Sequence, residues 1–269
     1  MKLKPVPKIK IEKKESLFIK SFKLAKSNPN KTGLMILFDA LFLVSIFALN
    51  ALATYFAQSL AAPTILSSAL VFIAFSLIYY LIALFAYSFF KYSVLDCINS
   101  LFEKTEFSFK RLAQFYSLNI IIAGIFFAIM LLGNYLLVSI KVQYRPFVFI
   151  FLAIPYLLFL YVIANISHSL FYQGSSIKDS IKKSFRITFT KMKVYRETIL
   201  IMILLALVLW LLFFGSGYLI RLIGAKNYSL YLNAYAYFKQ ASIIVLDIVF
   251  YLAILVNRIS FYSITKEIK

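Results

Sequence analysis

Charged residues disappear from this chain for long stretches and return in short basic bursts. Thr198 to Ile220 carries no charge, and neither does the longer run from Ala40 to Phe90. Roughly 20 apolar residues cross a ~30 Å hydrocarbon layer as a helix, so the first run holds one crossing and the second holds two. Ala61-Ala62-Pro63-Thr64 stands near the middle of the longer run, and a proline among small residues ends a helix there. The pattern therefore predicts a hairpin, with span 1 at 33–57 and span 2 at 65–90. Leu112 to Ile140 makes span 3, and Lys141 to Arg145 is a short connection. Pro146 suits the first turn of the next helix, which gives span 4 at 147–172 with a kink expected at Pro155. Span 5 covers 198–220, with Gly215-Ser216-Gly217 expected to loosen its last turn, and span 6 covers 240–264. The fold class predicted is an all-α integral membrane protein with six transmembrane helices.

The cations then orient it. With the N-terminus inside, 24 of the 29 lysines and arginines fall on the inner side, in residues 1–33, 91–111, 173–197 and beyond 257. Lys and Arg are retained in cytoplasmic loops, so both termini are expected in the cytoplasm, with the chain multi-pass in the cell membrane. On the outer side, Arg221 to Lys239 is rich in tyrosine (Tyr228, Tyr231, Tyr235, Tyr237). Tyrosine rings favour the headgroup zone, so this connection is expected along the outer surface.

Amphipathic basic segments precede the spans. Ile177, Ile181, Phe185, Phe189 and Met192 recur at helical spacing, while Lys178, Lys182 and Arg186 fall away from that stripe. Such a stripe either enters the bilayer interface or packs on the inner ends of the spans. Lys20-Ser21-Phe22-Lys23 is echoed by Lys183-Ser184-Phe185-Arg186. Ser93-x-x-Asp96-x-Ile98 is echoed by Ser176-x-x-Asp179-x-Ile181, a capping-box spacing in both places. Ser88-Phe89-Phe90, Ser169-Leu170-Phe171 and Ser260-Phe261-Tyr262 close the even-numbered spans alike. The echoes predict three repeated units, about 15–92, 93–175 and 176–265, each a surface helix followed by a helical hairpin. Residues 1–14 are read as a disordered basic tail ahead of a single membrane domain at 15–269.

This layout resembles the membrane region fused to bacterial glycerophosphodiester phosphodiesterases, and a wider set of six-span membrane proteins. The resemblance covers residues 15–265 and rests on the hydropathy layout with the Lys-Ser-Phe starts at Lys20 and Lys183. The soluble phosphodiesterase domain is not in this stretch, so that activity does not carry over.

Composition adds exclusions. The chain is 62% hydrophobic and 14% charged, with formal charge +19. Its cations lie between spans rather than on a folded basic domain, which argues against nucleic acid and for anionic lipid headgroups as the partner. A membrane-protein partner is the other occupant such a face would suit. Lys20, Lys23, Lys182, Lys183 and Arg186 are the expected headgroup contacts. One cysteine (Cys97) and one histidine (His168) leave no internal disulfide and no structural zinc site. No phosphate loop or carboxylate cluster is present, so neither an enzyme nor a cofactor is expected.

Ionisable and amide groups inside spans are the candidate chemistry, because they are costly in hydrocarbon. Asp39 and Arg258 each stand eight residues from the nearest inner lysine, roughly 12 Å along a helix, and are expected to pair. Asn119, Asn165 and His168 reach similar depth, completing an inner polar layer, while Asp247 is an outer-half carboxylate without an obvious charged partner. The layer serves either as interhelical glue or as a path for a solute. The leading expectation is a non-enzymatic membrane component that organises lipid or a partner through its basic cytoplasmic face. The alternative is a small-solute or ion transporter or channel using the polar layer.

Overall fold

A computed structural model describes residues 16–59, 66–103, 107–224 and 228–268. The tail expected at 1–14 and the Ala61–Thr64 break lie outside the described residues. Among the described residues eight α-helices follow in order: α1 (Leu17–Ser27), α2 (Pro29–Ser59), α3 (Leu66–Ser100), α4 (Phe109–Val138), α5 (Arg145–Tyr172), α6 (Ile177–Thr190), α7 (Met192–Gly224) and α8 (Tyr228–Ile268). A single 3-10 turn, Val142–Tyr144, precedes α5. Six of the helices are long and apolar enough to cross a membrane. The chain is an all-α membrane protein, and α2/α3, α4/α5 and α7/α8 form its three hairpins.

Several helices run past the hydrocarbon limits that hydropathy sets. α8 has 41 residues, about 60 Å at 1.5 Å per residue. Its first turns absorb the tyrosine-rich segment, whose Tyr228, Tyr231 and Tyr235 rings stack at helical spacing. From Tyr228 to Lys239 that segment is thus helix, continuous with the spanning part of α8, rather than a connection laid along the surface. Gly215-Ser216-Gly217 does not loosen α7 either. A β-carbon on Gly217 would meet the Phe238 ring at 3.4 Å, so the glycine admits α8 closely against an intact helix.

The middle repeat unit departs from expectation. Ser93 does not begin a surface helix, because α3 continues unbroken to Ser100. Ser93 Oγ donates to the Phe89 carbonyl at 3.0 Å, inside the helix. Ser176 does cap α6, its Oγ accepting from the Asp179 amide at 3.1 Å. Identical Ser-x-x-Asp spacing has two outcomes because only at Ser176 does Gly174, with positive φ, interrupt the preceding helix. Ser176→Ala is accordingly expected to cost about 1 kcal/mol. Ser93→Ala should stay within about 0.5 kcal/mol. Unfolding of the purified variants in mixed micelles measures both.

Packing is concentrated at the end where Leu17 of α1 and Ile268 of α8 lie, hereafter the charged end. Tyr92 to Ile98, Val162 to Tyr172 and Leu255 to Thr265 supply most of the buried residues. Side chains of the opposite half are largely exposed, as lipid-facing positions must be. Cross-links fasten the charged end: Tyr262 OH donates to Asn99 Oδ1 at 2.5 Å, Arg111 to the Phe171 carbonyl at 2.9 Å, and Lys31 to the Ser100 carbonyl.

The two short helices lie against this core. α6 buries Ser180, Ser184 and Thr188, one line at i, i+4 spacing, against α5 and its neighbours. Small hydroxyl residues allow such close approach. The aliphatic stripe divides: Ile177, Ile181 and Phe185 pack beside the core, while Phe189 and Met192 are exposed. On α1, Ser21 and Ala25 are buried. In both Lys-Ser-Phe segments the serine faces inward.

Candidate functional site

The polar groups of the half nearer the charged end divide into two clusters. Asp39 on α2 and Arg258 on α8 form an ion pair at 2.5 Å, with side chains 16% and 18% exposed. Tyr251 OH donates to the same carboxylate oxygen at 2.9 Å. One turn of polar chemistry thereby ties the first spanning helix to the last.

The second cluster joins α3, α4 and α5. Asn119 Nδ2 donates to Ser88 Oγ at 2.9 Å, and Ser88 passes its own hydrogen to the Leu84 carbonyl at 2.6 Å. Asn119 Oδ1 then faces His168 Nε2 at 2.6 Å. An amide oxygen accepts only, so Nε2 carries the imidazole hydrogen and Nδ1 is left as a buried atom without a partner among the described residues. The Phe115 ring packs on the imidazole at 4.9 Å. Asn165 Nδ2 donates to the Tyr161 carbonyl at 2.8 Å, which turns its Oδ1 toward α3.

What waits there is Lys91, which the hydropathy reading assigns to a basic connection. Its side chain is 8% exposed. The ammonium donates to Asn165 Oδ1 at 3.2 Å, and among the described residues no carboxylate lies within ion-pair distance. The available signal was helical spacing, since Leu84, Tyr87 and Lys91 share one face if α3 runs on past Phe90.

Lys91, Asn119, Asn165, His168 and Arg258 floor a cavity of about 550 Å³ between α3, α4, α5 and α8. The walls are largely apolar, including Phe126, Leu160 and Ile254, with Tyr87, Tyr156 and Tyr161 among them. Of the lining residues beyond the floor, Phe127 and Met130 on α4 and Leu157 on α5 are the large exposed ones. The opening therefore lies between α4 and α5, and these helices touch over less of their length than the other two hairpins. Asp39 does not line the cavity, its carboxylate being taken by Arg258 and Tyr251.

The remaining candidates lie elsewhere. Asp247 is exposed on α8, away from both clusters. Lys20 and Lys23 on α1, and Lys182, Lys183 and Arg186 on α6, are all exposed at the charged end. Comparison with protein-family models, with curated proteins and with solved structures gave no match.

Proposed function

We propose that this multi-pass membrane protein is a non-enzymatic component that gathers anionic lipid beneath a basic cytoplasmic face. The observation that carries the reading is the division of α1 and α6 into two sides. Serines take the buried side of each helix, and Lys20, Lys23, Lys182, Lys183 and Arg186 take the exposed side. Held at the ends of the spans, these cations stand where acidic headgroups accumulate. Each is worth about 1 kcal/mol near an anionic leaflet.

The alternative use of the polar layer, as a solute path, gains less support. Asp39, the acidic group such a path would employ, is engaged by two neighbours rather than offered to the cavity.

The experiment is lipid selectivity of the full chain in bilayer discs, read from the immobilised fraction of spin-labelled phosphatidylglycerol and phosphatidylcholine. Phosphatidylglycerol is expected to be preferred at low salt and to lose much of its advantage near 1 M salt, where screening acts within about 3 Å. The combined variant Lys182→Gln, Lys183→Gln, Arg186→Gln should lose it as well. Equal immobilisation of the two lipids at low salt would refute the reading.

A further inference from the structure

The cavity at Lys91 has a charge imbalance that no other group among the described residues corrects. Its surroundings hold two cations, Lys91 and Arg258, against one carboxylate, Asp39, and the carboxylate is bound to Arg258. The Lys91 ammonium keeps one neutral acceptor at 3.2 Å while 8% exposed. An ammonium has three hydrogens to give, and a charge removed from water is costly unless paired. An anion in the cavity would supply the ammonium with acceptors that it lacks among the described residues.

The shape of the cavity says what sort of anion. A volume of about 550 Å³ falls in the range of small-molecule sites, about 300–1,000 Å³, far more than a simple inorganic ion occupies. Its charged, amide and imidazole groups are Lys91, Arg258, Asn119, Asn165 and His168. The rest of its lining is hydrocarbon and aromatic, with the hydroxyls of Tyr87, Tyr156 and Tyr161 as the other polar side-chain atoms. Phe127, Met130 and Leu157 belong to the spanning stretches of α4 and α5, so the opening meets acyl chains rather than water. A ligand entering there must be soluble in the bilayer and must bring its charge to the floor.

We propose that the cavity between α3, α4, α5 and α8 binds one anionic amphiphile, its acidic headgroup on Lys91 and its hydrocarbon tail leaving between α4 and α5. The headgroup oxygen supplies missing acceptors to the ammonium, and Arg258, which also lines the cavity, adds a second positive charge nearby. Phe126, Leu160 and Ile254 shelter the upper tail. The cations of this site are not those of the exposed basic helices, so the two sites stand or fall separately. The shared chemistry is a single acidic group on a long chain, supplied by a phospholipid phosphodiester or by a free fatty-acid carboxylate.

The test is native mass spectrometry of the full-length protein, stripped of lipid in detergent and titrated in turn with phosphatidylglycerol, palmitate and phosphatidylcholine. One molecule of phosphatidylglycerol or palmitate is expected to bind at least tenfold more tightly than phosphatidylcholine, and whichever does so identifies the source of the acid. Lys91→Met should abolish that preference. The variant Lys182→Gln, Lys183→Gln, Arg186→Gln should leave the single tight molecule in place. Ala123→Phe, at an exposed lining position, keeps the ammonium but obstructs the tail, and should weaken binding at least tenfold. Tight binding of phosphatidylcholine equal to that of both acids, or acid binding unchanged in Lys91→Met, overturns the proposal. Should Lys91→Met fail to fold, unchanged acid binding in Ala123→Phe overturns it instead.

Discussion

Replacing Arg258 with methionine is expected to destabilise the folded protein by about 3–5 kcal/mol, because it removes one partner of a half-buried ion pair held within the spans. The loss comes mainly from what remains. Asp39 is 16% exposed and would keep only the Tyr251 hydroxyl, at 2.9 Å, as a partner. Water cannot repair the deficit in a bilayer as it does at a protein surface. Removing both charges tells the two contributions apart. The double variant Asp39→Asn, Arg258→Met leaves no unpaired charge, and should recover most of the loss despite lacking the whole salt bridge. Tyr251→Phe, which removes a hydrogen bond to a charged acceptor, should cost about 1.5–3 kcal/mol. Equilibrium unfolding of the natural protein, Asp39→Asn, Arg258→Met and the double variant in mixed micelles, combined as a mutant cycle, measures the coupling. A double variant no more stable than Arg258→Met would show that the pair is not the source of the effect.

Phe115→Ala is expected to be about as damaging, at about 3–5 kcal/mol, whereas Phe151→Ala should change stability by less than about 0.5 kcal/mol. Phe115 is 0% exposed. Its ring meets Tyr92 at 5.6 Å, His168 at 4.9 Å and Phe171 at 5.7 Å. Truncation there opens a cavity among three helices and loosens the imidazole that Asn119 holds. Phe151 is 77% exposed on the far half of α5. Lipid covers it whether or not the helices are assembled, so its removal alters both states alike. The contrast is sharper than in a soluble protein, because lipid tails are as apolar as the side chains they replace. Assembly must then come from close packing and polar contacts, and those are gathered at the charged end. Unfolding of the two variants under identical conditions checks the asymmetry, and comparable losses would argue that both halves carry the fold.

The spanning segments were legible in the sequence because transfer into hydrocarbon is a property of about 20 consecutive residues, whatever lies beside them. Uncharged runs such as Thr198 to Ile220 therefore announced α7 and its five companions without any knowledge of neighbours. Depth was legible for a related reason. A helix rises by a constant amount per residue, so counting from flanking lysines placed Asp39, Asn119, His168 and Arg258 at comparable levels.

Direction around the helix axis was not legible, and the site depends on it. Whether Lys91 is a solvated cation or the floor of a cavity turns on α3 continuing to Ser100 and on α5 presenting Asn165 opposite it. Ser93 and Ser176 carry the same short pattern, yet one lies inside a helix and the other starts one. The stripe on α6 illustrates the same point, since hydropathy marks Phe189 and Met192 while tertiary contact buries Ser184 and Thr188. Hydropathy measures affinity for oil, and in a bilayer both lipid and protein satisfy it. Which side chains meet protein rather than lipid is decided by lateral packing among helices distant in sequence, and that information exists only in the assembled bundle.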